Sequence, residues 1–517
     1  MGSGKSTAAR VVAARAGLEA WDLDRVVEQR TGKKVSALFA EQGEQAFRRL
    51  ERDALHDLLA KHGDGVFALG GGTVTDRELR RELLRHGVLI TLRADVAELA
   101  RRVGGGDGDG RPLLAGQNVG DKLRALLAER AEAYAECHRE LDTNGRDAQA
   151  VAEAVLEIAA DPPLLVPLGT RSYRVEVGAG ARSRLPARAA EITASGRALV
   201  VSDDVVAPLW ADTMIAALRA QRGDVASVAI PAGEQHKTLS TVERIWGAAL
   251  DAAIDRGGMF IGIGGGVVGD LSGFAAATLL RGIPIGHVPT TLLAMVDSAI
   301  GGKTGFDTRH GKNLIGSFHQ PSFVLCDTDT LATLPQAERR AGLAEVVKSA
   351  WIDGELAVRQ LELDAPGLAA GEPNAIVRAI RMSAALKAKI VTEDERESGS
   401  RALLNLGHTV GHAIEASLGY QGMRHGEAVS LGMVAAFRLG VRLQITPRAD
   451  LERLETLLSA LSLHVDVSAY LQPKVLSFIN ADKKRRSANI AFVLPHAPGR
   501  VALELVPLAE LPGLLMA

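Results

Sequence analysis

Short apolar runs separated by longer, charged stretches of helical spacing fill residues 1–160. Val66 to Leu69 and Val88 to Leu92 are the clearest runs, and their unbroken apolar character predicts buried strands of a parallel sheet. The Pro162–Pro163 pair interrupts the pattern and marks a domain boundary. Beyond it a second alternation begins, with strands expected at Ala198–Ser202 and Met259–Ile263. From about residue 337 the strand signals fade and Ala/Leu/Arg-rich helical patterns take over. The pattern therefore expects three parts, 1–160, 161–337 and 338–517, of which the first two are α/β and the last mostly helical. There is no solenoid-type repeat, and Gly104 to Gly110 is the one low-complexity tract.

A chain of 517 residues exceeds a single core, in keeping with two to four domains. Its 47% apolar and 24% charged composition is that of a soluble globular protein. A net charge of −2 argues against a nucleic-acid or acidic-membrane binder. The basic run Lys483 to Arg486 reads as a solvated face or the edge of a phosphate site. Cys137 and Cys326 lie far apart and form no C-x-x-C, so a reducing compartment without disulfides is expected. No apolar run reaches membrane-spanning length, and Lys5, Arg10 and Arg15 interrupt any signal-peptide core. The expectation is a cytoplasmic protein whose partners are small molecules, with no nucleic acid and no membrane.

Candidate chemistry changes this picture most in the later half. His408 and His412 are four apart in a helix-compatible run, so both imidazoles project from one face. His425 follows a glycine-containing loop able to fold back onto that face. Three such imidazoles suit a borderline-soft divalent metal, most simply zinc, although two surface histidines plus an unrelated third would share the spacing. Thr409 stands where an H-E-x-x-H protease carries its base, which excludes that reading. Upstream, Met259 to Ile263 leads into Gly264, Gly265 and Gly266 and then a helical run. Strand, glycine turn and helix form the context of a dinucleotide site, where backbone amides approach a pyrophosphate. Arg281, Lys303 and Lys312 sit on glycine-bounded loops beside this turn and resemble an anion cradle.

These motifs, with Asp297 to Gly305, Gly342 to Lys348 and Asn405 to Glu415, make residues from about 165 to the C-terminus similar to the 3-dehydroquinate synthase family. The resemblance implies a Rossmann-like NAD half, a helical metal-binding half and an active site in the cleft between them. It implies NAD and zinc or cobalt as cofactors, with conversion of 3-deoxy-D-arabino-heptulosonate 7-phosphate to 3-dehydroquinate and phosphate. Carried over by position, the metal ligands fall on Glu345, His408 and His425, which moves His412 behind them or into the substrate site as a candidate proton relay. NAD contacts fall on Asp203, Glu234, Lys237, Gly266, Val267, Val268, Gly269, Asp270, Thr290, Thr291, Lys303, Lys312, Thr330 and Thr333. Catalytic and substrate contacts fall on Arg281, Asp297, Lys303, Lys312, Asn313, Lys348, Lys387, Arg401, Asn405 and one lysine of the 482–484 run, taken as Lys484. Val205 departs from the asparagine of some members near the adenosine and should alter cofactor affinity rather than chemistry. A homodimer through this part is also implied.

The front of the chain carries a second set. Gly2, Ser3, Gly4, Lys5, Ser6 and Thr7 form the second half of a Walker A loop, which cradles phosphates and reaches magnesium through a hydroxyl. Asp22, Asp24, Arg48, Gly71, Gly72, Arg111 and Arg130 follow in order. Together they resemble shikimate kinase over about residues 2–155. The resemblance implies ATP phosphates on the loop and Arg111, magnesium near Ser6 and Asp22, and shikimate on Asp24, Arg48, Gly71, Gly72 and Arg130. It also implies an apolar strand and a first loop glycine ahead of Met1, both missing from this sequence. At about 1.5–3 kcal/mol per buried aliphatic side chain, losing a central strand rivals a domain's stability of about 5–15 kcal/mol. The expectation is a start placed further upstream, the alternative being a crippled domain.

The overall reading is a bifunctional enzyme, a carbon–oxygen lyase joined to a phosphotransferase. One alternative keeps the synthase and makes the front domain a non-catalytic folding module. Another makes the back part a metal-dependent polyol dehydrogenase or a cyclase of other sugar phosphates. A dehydrogenase needs no phosphate cradle, so Arg281, Lys303, Lys312 and Lys387 argue against it. A cyclase would differ mainly in its carboxylate pocket.

Overall fold

The computed structural model describes residues 2–104, 119–193, 196–480, 485–486 and 488–516. The chain divides into two compact units, Met1–Ser172 and Tyr173–Ala517.

In the first unit, Gly4 turns the chain at φ 85° into the helix Lys5–Ala16. Its core is a cluster of helix residues, Leu23, Val27, Leu38, Phe47, Ala54, Leu55 and Leu58. The long helix Val35–Lys61 is broken at Gly43, whose φ of 78° a residue with a Cβ adopts only under strain. The strand Ala20–Asp22 pairs in parallel with Val66–Ala68, and Ile90–Arg93 pairs in parallel with Arg139–Asp142. The two pairs are separate sheets, with no strand bridging them among the described residues. This corrects the expectation of buried strands. Val66, Phe67, Ile90 and Leu92 are only half-buried, and Val88 lies outside its strand and is exposed. A parallel strand is fully covered only when neighbours and helices close both its edges and its faces.

In the second unit, six parallel strands stand in the order Tyr173–Gly178, Phe323–Asp327, Ile285–Pro289, Met259–Gly264, Ala198–Asp203 and Val225–Ile230. The four central ones are buried at every residue, which explains why they are largely apolar. Leu199, Val242, Ile245, Phe260 and Leu271 form one covering layer, and Leu185, Val200, Met214, Leu218 and Ile261 form the other. An antiparallel hairpin, Lys303–Thr308 with Gly311–Phe318, precedes the helical half. There Gln336–Asp353 is buried continuously from Ala341 to Ile352, and His425–Arg442 packs on it through glycine. A Cβ on Gly426 would stand 1.9 Å from Ala341 O, and one on Gly432 1.9 Å from Gly407 O. A second antiparallel pair, Asn489–Ala497 with Arg500–Pro507, follows the helices, where the sequence pattern suggested no further strands.

Candidate functional site

The strand Met259–Gly264 ends in the glycine turn and opens the helix Gly266–Thr278. Gly265 caps that helix with no side-chain partner, so its first amides are open to an anion. A Cβ on Gly264 would meet Val268 at 2.5 Å, and one on Gly265 would meet Thr291 at 3.1 Å, so the turn is close-packed as well as open. Asp203, Gly264 and Thr290 lie at the carboxyl ends of three neighbouring strands, where open α/β sheets bind ligands. Asp203 Oδ1 accepts from the amides of Val205 (3.0 Å) and Val206 (2.7 Å). Thr290 Oγ1 is buried without a hydrogen-bond partner. Thr333 accepts from Trp210 Nε1 at 2.7 Å, and Thr330 donates to Asp327 O at 2.7 Å.

A polar network continues from this turn. Lys237 Nζ stands 2.5 Å from Asp270 and donates to Asn313 Oδ1 at 2.6 Å. Asn313 holds a left-handed backbone (φ 55°), and its amide donates to Asp307 at 2.8 Å. Lys312 Nζ lies 3.4 Å from Glu234 and 3.5 Å from Glu415.

Beyond Lys312 the imidazoles converge. The ring centres of His408, His412 and His425 lie 5.2, 5.3 and 5.7 Å apart, and one nitrogen from each falls within 4.8 Å of the others. His408 and His425 point Nε2 at Glu345 Oε1, at 3.5 and 3.6 Å. Two ligands on a tetrahedral metal with bonds of about 2.0–2.1 Å stand about 3.3 Å apart. The separations are thus close to those of ligands around one ion. Both Glu345 oxygens are buried without a directed hydrogen bond, while Lys348 pairs ionically with Oε2. A carboxylate so placed suits a cation, and the donor set of one carboxylate and two imidazoles suits zinc or cobalt. His412, by contrast, is exposed on the same helix face.

The electrostatics agree with this. Burial opposes charge on His425, but Glu345 and Glu415 outweigh it and push its pKa up to about 10. An imidazolium there meets the same two carboxylates that a cation would satisfy. Burial and the Lys348 ammonium hold His408 well below its usual value, which keeps its nitrogen available as a donor atom. Burial would raise Glu345, yet Lys348 and the histidines hold it well below the carboxylate range.

A ring of cations adjoins the metal residues. Lys387 Nζ lies 2.5 Å from both Asp297 Oδ1 and Asp297 O. Burial brings the Lys387 pKa down to about 8 despite Asp297. Arg401 donates to Gly301 O (2.9 Å) and Glu395 O (2.5 Å), leaving Nε buried without a partner. Glu397, at a strained φ of 58°, pairs with Lys303 and accepts from Asn405 Nδ2 at 3.1 Å. The structure does not join Arg281 to this ring. It is exposed on a left-handed turn (φ 70°), with no hydrogen bond or ion pair to the others among the described residues. Lys484 and Arg111 lie outside the described residues.

The first unit gathers its own set around Gly70 to Gly72. A Cβ on Gly72 would stand 2.0 Å from the Arg48 guanidinium, and one on Gly71 2.7 Å from Tyr134 Oη and 3.3 Å from Arg130 Nη1. A Cβ on Gly70 would fall 3.5 Å from Asp24 Oδ1, and Lys5 Nζ lies 3.5 Å from Asp24. Gly2 (φ 75°) and Gly4 (φ 85°) shape the loop ahead of Lys5, Ser6 and Thr7, which form the first turn of the helix. Asp22 Oδ1 and Arg130 Nε are buried with no hydrogen-bond partner among the described residues. Glu51 and Tyr134 went unassigned at the sequence level. Glu51 pairs with Arg48 and accepts from Thr73 at 2.9 Å, and Tyr134 donates to Gly71 O at 2.9 Å.

A glycine turn at the strand ends, a carboxylate–imidazole centre and a ring of cations define a class of nucleotide- and metal-dependent enzyme, here combined with a P-loop unit. The family models for the N-terminal and C-terminal parts of 3-dehydroquinate synthase match residues 227–341 and 342–485, and that for shikimate kinase matches residues 1–160. The 3-dehydroquinate synthase of Geobacter sp. (strain M21) is 44% identical over 340 residues, covering 66% of this chain and 94% of the relative. That of Symbiobacterium thermophilum is 45% identical over 339 residues, covering 65% and 94%. Among solved structures, 2-deoxy-scyllo-inosose synthase complexed with carbaglucose-6-phosphate, NAD+ and Co2+ is similar with a TM-score of 0.61 and 26% identity, over 67% of this chain and 96% of that one. ValA, the 2-epi-5-epi-valiolone synthase of Streptomyces hygroscopicus subsp. jinggangensis 5008 with NAD+ and Zn2+ bound, follows at 0.59 and 28%, over 66% and 96%. The chain belongs to the 3-dehydroquinate synthase family, and a shikimate kinase domain precedes the synthase part.

Proposed function

We propose that the second unit converts 3-deoxy-D-arabino-heptulosonate 7-phosphate to 3-dehydroquinate and phosphate, and that the first transfers the γ-phosphoryl of ATP to shikimate. The observation that carries the synthase reading is the Glu345–His408–His425 centre standing beside buried Lys348, Lys387 and Arg401. When bound, NAD would supply a hydride acceptor at the glycine turn, and zinc or cobalt a Lewis acid at those three ligands. Lys303, Lys387, Arg401 and Asn405 bind the anionic groups of the substrate and fix its orientation, with Lys312 and Asn313 completing the pocket from the hairpin. Lys348 and Asp297 hold Glu345 and Lys387 in place. Lys387, with its pKa near 8, exchanges a proton readily at neutral pH, and exposed His412 is positioned to relay one. Cytoplasmic location and a homodimer through the second unit belong to the same reading.

In the first unit Lys5 and the loop amides hold ATP with magnesium near Ser6 and Asp22, while Arg48, Arg130 and Asp24 orient shikimate. The separated strand pairs favour a second reading, a working synthase with an inert kinase-like front. Phosphate release from the heptulosonate phosphate, measured against other sugar phosphates, tests the synthase. Equal turnover of all of them would sink that specificity. ATP-dependent phosphorylation of shikimate separates the two readings of the front unit.

A further inference from the structure

Glu415 is buried and belongs to none of the roles assigned above. It follows His412 by three residues on the helix His408–Ser417, and its side chain meets the His425 imidazole. Its Oε2 lies 3.2 Å from His425 Nδ1, and its Oε1 lies 3.5 Å from Lys312 Nζ. An ionised carboxylate only accepts hydrogen bonds, so Nδ1 must carry the proton. That leaves Nε2, the atom 3.6 Å from Glu345 Oε1, as the nitrogen directed at the centre. Lys312 occupies the other oxygen, and the Tyr420 ring lies 4.7 Å from the same ammonium. The carboxylate is therefore engaged from two sides, by the imidazole and by the ammonium.

We infer that Glu415 is a positioning residue, which fixes the tautomer and ring orientation of His425 and anchors it to Lys312 on the hairpin. This rests on the reading of His425 as a metal ligand. A carboxylate behind a ligating imidazole raises its basicity and holds its geometry, and its loss typically weakens metal binding about 10–100-fold. A merely structural Glu415 would change stability and leave the metal indifferent.

The test uses the full chain and competition for zinc against a chelator of known affinity, together with the visible absorption of the cobalt-loaded protein. Glu415→Ala is expected to bind zinc about 10–100-fold more weakly, with an altered cobalt spectrum. Glu415→Gln keeps an acceptor for the Nδ1 proton but sets an amide against Lys312, so it should fall between Glu415→Ala and the parent. It also serves as the folded variant if the alanine proves unstable. Parent-like zinc affinity and cobalt spectrum in Glu415→Ala, with metal lost in His425→Ala, would overturn this inference and leave the ligand assignment standing. Equal weakening by both Glu415 variants, in step with lost thermal stability, would also overturn it. Normal metal binding by His425→Ala would remove the ligand reading itself, and this inference with it.

Discussion

In Tyr173–Ala517 the glycine turn projects from strands buried at every residue, and the candidate metal ligands rise from helices packed through glycine. In Met1–Ser172 a comparably dense set of polar side chains gathers around Gly70 to Gly72, yet the strands beneath it are half-covered and fall into two separate pairs. The contrast separates two requirements that usually come together. Bringing charged groups to one place needs only a few local contacts, such as Arg48 with Glu51 along one helix and Tyr134 with Gly71. Holding them there against thermal motion needs a closed apolar framework, since marginal stability leaves little margin for exposed edges.

The largest expected effect lies in the well-framed unit. His425→Ala should abolish stoichiometric zinc or cobalt binding and lower synthase turnover by about a hundredfold or more, because a Lewis acid contributes several kcal/mol to transition-state stabilisation. Metal analysis of the purified variant checks this, and normal metal content would remove His425 from the ligand set. The corresponding challenge to the first unit is an N-terminal extension that supplies an apolar strand and a loop glycine. Three newly buried aliphatic side chains would add about 5–9 kcal/mol. The unit's own denaturant transition should move upward, and ATP-dependent phosphorylation of shikimate should appear or rise. An unchanged transition would mean that the separate pairs are not its weakness.

Glycine substitutions sharpen the same comparison at lower cost. In Gly426→Ala the new methyl meets the backbone carbonyl of Ala341 at 1.9 Å, which has no room to give. Overpacking of this kind costs about 1–3 kcal/mol, so the second unit should unfold earlier. In Gly72→Ala the obstacle, at 2.0 Å, is the Arg48 guanidinium at the end of a flexible side chain. Stability should barely change, while the KM for shikimate rises as Arg48 is displaced. Thermal unfolding and shikimate kinetics on the two variants distinguish these outcomes, and a stability loss in Gly72→Ala matching that of Gly426→Ala would erase the contrast.

Much of the second unit's sheet was legible because strands covered on both faces must be largely apolar, as Met259–Gly264 and residues 198–201 are. The same rule misled at Val66 and Ile90, where an apolar run reports the side chain but not whether neighbours cover it. The histidine face was legible from helical spacing. Glu345 was reached only through family resemblance, because it sits on a helix buried all round, where periodicity carries no signal. Glu51, Glu397 and Glu415 were missed for a related reason. An acidic residue reads as solvated until the folded structure sets it against a partner. Arg281, a cation beside the glycine turn in sequence, stands exposed on a left-handed turn.

The smallest effect concerns protons rather than packing. His287 lies buried on the central strand Ile285–Pro289, near Ser272 and within electrostatic reach of His319. Burial, helped by His319, brings its pKa down to about 4, against about 6.5 in an unfolded chain. Between those values the unfolded state takes up a proton that the folded state refuses. Stability therefore rises with pH across this window and is lost as pH falls from about 6.5 towards 4. From pH 7 to 5.5 the loss from this one group is about 1 kcal/mol. None of the described histidines of Met1–Ser172 is buried, so the slope should belong to the second unit's transition alone. His287→Gln should flatten that slope in denaturant melts followed separately for each unit. If the variant keeps the parent slope, the acid sensitivity originates in His408, which is likewise buried with a lowered pKa, rather than in the sheet.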